Sequence, residues 1–285
     1  MNKTVKNRIL SAALRAALAV IVVIAGLRLR GAGLPSGGAD GFMRAVFFDA
    51  GQGDCALICS GEGAILVDAA DGISASVTGY MQRLGIKRLD YFIVTHFDRD
   101  HAGDVTEILD RFEVGAVVMP EPAEDGYVYN FIKERIKDGK TVTAMTGLVL
   151  YCGDMEIEIM APNRRGRTDN ETSVVCRISR GPRSVLMCAD VTASEEKTVM
   201  AKYGVKCRSD VLKVSHHGSD SSSSDEFLKL VLPSFAVISC GRNNYGHPSV
   251  RVIGTLQSIG CDVAITEGDG VVIYDLFDDH VERKK

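Results

Sequence analysis

The sequence predicts an α+β fold: two β-sheets packed face to face, with helices on their outer faces. Strand-like segments outnumber helical ones, and the helical segments fall between groups of strands. No period of about 20 to 50 residues recurs, so the chain is not a repeat array. At 285 residues, 46% hydrophobic and 25% charged, it is long enough for one large core or two small ones. A net charge of −4 excludes a global basic field for nucleic acid, although a local basic groove stays open.

Residues 1–30 differ from the rest. Lys3, Lys6 and Arg8 precede an apolar segment, Ile9–Leu27, broken only by Ser11 and Arg15. Its length is close to the ~20 residues a bilayer needs, so it reads as a signal anchor or signal peptide, with the main domain outside the cytoplasm. Gly31–Gly41 reads as a flexible linker, and the domain as residues 42–280.

The domain opens with a strand at Met43–Asp49, a sharp Gly-Gln-Gly-Asp turn ending at Asp54, and short apolar strands at Cys55–Cys59 and Ala64–Asp68. Ser74–Leu84 has helical spacing. Tyr91–Thr95 is an apolar, β-branched run of the kind that makes a buried strand. It leads into His96, Asp98, Asp100 and His101 within six residues, and then a helix to Phe112, with Asp104 as N-cap and Glu107 completing a capping box. Adjacent carboxylates repel one another unless a cation sits among them, and mixed imidazole and carboxylate donors suit a divalent metal.

Further on, Ala116–Met119 reads as a strand and Tyr127–Lys137 as a helix. Thr141–Met145, Leu148–Tyr151 and Met155–Met160 are strands, the last alternating so that one face is wet. Pro162–Thr168 carries Arg164, Arg165 and Arg167, a charge run able to hold phosphate. Val174–Ser179 and Ser184–Ala189 are buried strands, the second ending at Asp190. Ala193–Tyr203 is a helix. Asp210–Val214 is a strand that ends at His216 and His217, adjacent imidazoles that again suit metal ligation. Glu226–Val231 and Val250–Ile259 are helices, with strand Ala236–Cys240 between them. Cys261–Thr266 and Val271–Leu276 read as a closing hairpin about Glu267–Gly270.

Five of the six histidines (His96, His101, His216, His217 and His247) lie in polar, loop-like stretches. None of the eight cysteines forms a CxxC pair. Most sit in apolar runs, which reads as buried thiols and fits poorly with an oxidising exterior.

His96-Phe-Asp98-Arg-Asp100-His101 resembles the HxHxDH signature of the metallo-β-lactamase superfamily, with Asp98 in place of the middle His. One more stretch precedes it, Phe48–Asp54, close to FDVGQGD, and four follow: Asn170–Val175; Met187–Asp190, with Ala189 where the family has Gly; DVLKVSHHGS; and Asn243–Pro248. Together they resemble the hydrolase domain of ComEC-type competence (DNA-uptake) proteins over roughly residues 41–277. The resemblance implies a four-layer αββα sandwich and two divalent ions, Zn, Mn or Mg. It implies His96, Asp98, Asp100, His101, Asp190 and His217 as ligands, with Asp190 bridging. Asp100, His216 and His247 would be catalytic, Asp54, Asp68 and Asn170 would support the ligands, and Lys213 and Ser219 would contact substrate. His216 is the alternative ligand to His217. The superfamily supplies a further His between His101 and His216, which this chain lacks; Asn170, His247 or water would stand in.

The implied reaction is phosphodiester hydrolysis of DNA by a metal-activated hydroxide. The alternatives are a small-substrate phosphodiesterase of the cell envelope, similar to choline-phosphate esterases, and a binding module without turnover.

Overall fold

The structure, a computed structural model, describes residues 41–122, 126–136, 140–162 and 168–284. The first sheet collects β1 (Met43–Phe47), β2 (Ala56–Cys59), β3 (Ala64–Val67), β4 (Arg88–Ile93), β5 (Glu113–Met119) and β6 (Thr141–Thr143) as consecutive neighbours. The second runs in the reverse sense, through β7 (Val149–Cys152), β8 (Met155–Ala161), β9 (Val175–Arg180), β10 (Arg183–Met187), β11 (Val211–Lys213), β12 (Phe235–Ile238) and β13 (Asp262–Ile265). Each sheet is antiparallel at its start and turns parallel where helices make the crossovers, from β3 to β6 and from β10 to β13.

Side-chain alternation sorts the strands into three apolar layers. Phe47, Ile65, Val67 and Ile93 of the first sheet meet Ile157, Ile178, Val185 and Val211 of the second between the sheets. The opposite face of the first sheet, with Leu66 and Phe92, packs on Val77, Met81, Ile108 and Ile132 from its helices. The outer face of the second, with Leu186 and Leu212, packs on Val199, Phe227, Leu228 and Leu256. The order is therefore α, β, β, α. Strands covered on both faces read as unbroken apolar runs, and each such Val, Leu or Ile side chain contributes about 1.5–3 kcal/mol when fully buried. On β8, Glu156 and Glu158 face outward but are half-buried rather than wet.

Three expectations change. The closing segments are not a hairpin. β13 ends the second sheet, Thr266–Asp269 forms one helical turn, and β14 (Val272–Leu276) crosses to the first sheet to pair antiparallel with β1. A strand not anticipated from the sequence, β15 (Val281–Lys284), pairs with β14 at the edge. The helix Val105–Arg111 starts at Asp104, but no side-chain cap bond forms. The Asp104 carboxylate accepts from Gly72 N and Ile73 N instead, and Glu107 accepts from Thr106 Oγ1.

The anchor segment and Arg164, Arg165 and Arg167 lie outside the described residues. Among the described residues no helix is long and apolar enough to cross a membrane. All eight cysteines are buried and unpaired.

Candidate metal centre

The centre is built at the strand ends of both sheets, where loops descend between them. The first sheet's contribution hangs on Asp68. Its Oδ1 accepts from Thr95 N, and its Oδ2 accepts from Thr95 Oγ1 and meets His101 Nδ1, all at 2.8 Å. A carboxylate only accepts, so His101 Nδ1 carries a proton. Thr95 Oγ1 spends its own hydrogen on Asp68, so it accepts from His96 Nδ1 at 3.1 Å. From the second sheet, His217 Nδ1 donates to Ser239 O at 3.0 Å. Each of the three imidazoles is thus held by Nδ1, and each leaves Nε2 for the centre.

Those three Nε2 atoms converge on carboxylates. His101 Nε2 lies 3.2 Å from Asp190 Oδ1, His217 Nε2 lies 3.4 Å from Asp100 Oδ2 and 3.6 Å from Asp190 Oδ2, and His96 Nε2 lies 3.6 Å from Asp98 Oδ2. Donor atoms of His96, His101 and Asp190 fall within 4.8 Å of one another, and so do those of Asp100, His101 and His217. His101 is common to both triads. Asp98, with its side chain half exposed, approaches His96 alone.

Among the described residues, the buried side-chain atoms with no hydrogen-bond partner include Nε2 of His96, His101 and His217 and Oδ1 of Asp190 and Asp54. Buried polar atoms are almost always paired, so five orphans within one cluster fit bound cations. The residues present therefore suit a pair of divalent ions.

The electrostatics agree. Burial opposes charge on His101, but Asp190 and Asp68 outweigh it and hold the imidazole's proton well above its ordinary range. Burial likewise opposes charge on Asp190, and His101 and its neighbours overcome it, pulling the carboxyl well below the usual range. His96, buried and facing His101, is driven down to about 3 and is neutral, as a ligand must be. Burial, then Asp169 and Asp100, push Asp98 up. The site draws positive charge to its middle, and a divalent ion answers that field more fully than a proton.

Backbone strain marks the same place. Among the described residues seven non-glycine positions have positive φ, and five of them (Asp68, Ala70, Ala189, His216 and His217) border the centre. Such residues cost about 1–2 kcal/mol each and persist where the surroundings fix them. At Ala189, φ is +48°, which explains why the resembling motif has glycine there. Consecutive left-handed residues at His216 and His217 send the two rings apart. His217 goes into the ligand cluster, while His216 reaches Asp190, with Nε2 at 3.7 Å, packs 5.6 Å from the His247 ring, and lines the cleft above.

That cleft has a volume of about 960 Å³. Asp98, Asp100, Asn170, Asp190, His216 and His247 line it. Asp54 lies beneath. It is buried, its backbone N–H bonds to Asp100 O at 3.0 Å, and its Oδ1 lies 3.6 Å from His217 Nδ1. The approach needs Gly53, where a Cβ would stand 2.5 Å from Asp100 O.

Two expected substrate contacts are corrected. Lys213 is 1% exposed, and its ammonium pairs with Asp54 Oδ2 at 2.6 Å and donates to Val214 O. Ser219 is buried and bonds to Ser221 Oγ. Neither borders the cleft. Three residues that do so were given no role in the sequence, although Gln52 and Tyr245 lie inside its motifs: Gln52, Arg242 and Tyr245. Arg242 and Tyr245 belong to a loop organised by Asn243. Its Nδ2 donates to the carbonyls of Gly241 and His247, and its Oδ1 accepts from Tyr245 N and His247 N. A lone Asn among turn residues carries that signal only faintly.

Chelation is expected to unfold the protein more readily. With ions at a thousandfold over Kd the linkage is worth about 4 kcal/mol, on the order of 10 °C in melting temperature for a domain of this size. Calorimetry with and without EDTA reads it, and an unchanged midpoint would count against a metal here.

Residues 48–139 match the family described as Metallo-beta-lactamase superfamily. The chain is 29% identical over 253 residues to ComE operon protein 3 of Bacillus subtilis, covering 79% of this chain and 32% of that protein. It is 29% identical to Competence protein ComA of Neisseria gonorrhoeae (80% and 32%) and 30% identical to Recombination protein 2 of Haemophilus influenzae (82% and 29%). The chain thus spans about a third of the length of these relatives. Among solved structures, the metallo-beta-lactamase fold protein YhfI of Bacillus subtilis aligns with a TM-score of 0.58 at 13% identity, covering 82% of this chain and 99% of that one. The metallo hydrolase Igni18 of Ignicoccus hospitalis aligns at 0.55 and 15%, covering 81% and 98%. At these identities the likeness is one of fold.

Proposed function

We propose, for a chain that belongs to the metallo-β-lactamase superfamily and has the architecture of its metal-dependent hydrolases, that it hydrolyses phosphodiester bonds in DNA. The observation that carries the reading is the pair of His/Asp triads sharing His101 beneath an open polar cleft. One relative is a competence protein by name and another a recombination protein, and DNA as substrate fits both names.

Two divalent ions, Zn, Mn or Mg, supply when bound a Lewis acid for the phosphoryl oxygens and a water of lowered pKa. The chain's own residues do the rest. His96, Asp98, Asp100, His101, Asp190 and His217 hold the ions, with Asp190 between the triads. Asp68 orients His101, and Asp54 lies beneath His217, with its Oδ1 3.6 Å from Nδ1. Asn170 belongs to the one-turn helix Asp169–Thr172, whose Asp169 acts electrostatically on Asp98, and it lines the cleft. His216 and His247, with ring centroids 5.6 Å apart, face substrate from the other side. We place the domain outside the cytoplasm, tethered through Ile9–Leu27.

The rim supports a polynucleotide. Tyr245 is 76% exposed with its ring centroid 5.7 Å from that of His247, and Arg242, exposed on the same loop, has Nε 3.9 Å from Glu267 Oε1. An exposed aromatic next to a cation suits a stacked base and its phosphate. Tyr245→Ala is expected to raise KM for single-stranded DNA by about tenfold, from stacking worth about 1–3 kcal/mol per base, while a small aryl phosphodiester is turned over within about twofold of wild type. Steady-state kinetics on both substrates checks this.

The activity is tested by incubating the protein with labelled single- and double-stranded DNA and Mn, Mg or Zn in turn. Metal-dependent, salt-sensitive cleavage is the expected result. Turnover of the aryl ester without DNA cleavage favours a small-substrate enzyme, and metal binding with neither favours a binding module.

A further inference from the structure

We infer that Gln52 is a positioning residue that fixes the tautomer of His247, making it a neutral Nε2–H donor to a phosphate oxygen of the substrate. Gln52 sits in the turn between β1 and β2, at the end of the first sheet, whereas His247 follows β12 of the second. The two meet because Gly241 presses on that turn. A Cβ at Gly241 would stand 2.8 Å from Gly51 Cα and 3.0 Å from Gln52 N. Gln52 therefore spans the two sheets beside the cleft.

Its amide has one consistent orientation. Oε1 accepts from Gly241 N at 3.4 Å and lies 3.5 Å from the Cys240 thiol. Turned over, the NH₂ would face the Gly241 N–H, donor against donor. With Oε1 so committed, Nε2 meets His247 Nδ1 at 3.4 Å. An amide NH₂ can only donate, so Nδ1 accepts, and the single proton of a neutral imidazole lies on Nε2. The backbone around the ring is fixed as well, with Asn243 Oδ1 accepting from His247 N and Asn243 Nδ2 donating to His247 O.

A neutral imidazole is a poor acid but a good hydrogen-bond donor. His247 in this form stabilises charge growing on phosphate oxygens without giving up its proton. It cannot act as a base, because its lone pair is occupied by Gln52. The catalytic consequence rests on the phosphodiesterase reading; the tautomer does not.

Two measurements on the full protein test the inference. The first is ¹⁵N NMR of the histidine side chains, with His247 assigned by difference against His247→Ala. Wild type is expected to show Nδ1 unprotonated and Nε2 protonated. Gln52→Met, which keeps the shape and removes the donor, is expected to mix the tautomers. Gln52→Glu, which offers an acceptor, is expected to move the proton to Nδ1. A protonated Nδ1 in wild type, or a ratio unaltered in Gln52→Met, overturns the inference whatever the enzyme's substrate. The second is kinetics on the substrate the wild type cleaves. Gln52→Met is expected to lower kcat by about ten- to a hundredfold with KM little changed and metal content intact. A loss confined to melting temperature, with kcat and tautomer unmoved, would leave Gln52 a merely structural residue and overturn the proposal. Should wild type cleave no phosphodiester, the NMR result still decides the tautomer, and only the function proposed above falls.

Discussion

Lys213→Met is expected to destabilise the protein by about 3–5 kcal/mol, the cost of leaving one member of a buried ion pair without its partner. Lys213 and Asp54 are both buried, 2.6 Å apart. Burial alone would push the Asp54 carboxyl up. Lys213, then His101 and His217, bring it below the ordinary range. Without the ammonium, the Asp54 anion would lose the largest of the charges that offset its burial, leaving His101 and His217. A loss of this size is a large part of the 5–15 kcal/mol available to a typical domain. The companion variant Lys213→Met/Asp54→Leu removes both charges and is expected to recover most of the loss, since a buried pair exchanged for apolar groups is often near neutral. Denaturant unfolding of the two variants is the measurement. A single variant within about 1 kcal/mol of wild type would show that the pair carries no such burden.

His101→Ala is expected to empty both metal positions and to cut turnover by about a thousandfold or more, which corresponds to several kcal/mol of lost transition-state stabilisation. His101 belongs to both triads, so its removal takes a donor from each. It also leaves Asp68 and Asp190 facing each other without the imidazole that now lies between them. His216→Ala is the matching variant. His216 is in neither triad, so metal content should hold while turnover falls. Elemental analysis of the two proteins separates a ligand from a substrate-facing residue. Full metal content in His101→Ala would remove the ligand assignment.

What the sequence showed depended on how local the signal was. The strand Tyr91–Thr95, the run from His96 to His101 and the paired histidines after β11 were legible because chemistry and periodicity coincide over a few residues. The four layers were legible because buried strands and amphipathic helices each carry their own pattern. Distant pairing was not. β14 looks like the return of a hairpin, and only the free edge of β1, more than two hundred residues earlier, draws it across. The resemblance implied Lys213 as a substrate contact, yet its strand is buried on both faces and its partner comes from the β1–β2 turn. The role of Gln52, though the residue lies inside the Phe48–Asp54 motif, was hidden for the same reason: its partner His247 is 195 positions away.

The buried cysteines bear on where such a protein can live. Oxidation and disulfide exchange act on the thiolate, and only on one that a reagent can reach. Burial, the largest cause in every case, pushes all eight thiols up, to about 11 at Cys207 and about 12 at Cys59 and Cys261. Shielded and protonated, they are poor targets for oxidants once the domain has folded, and their number alone does not decide the compartment.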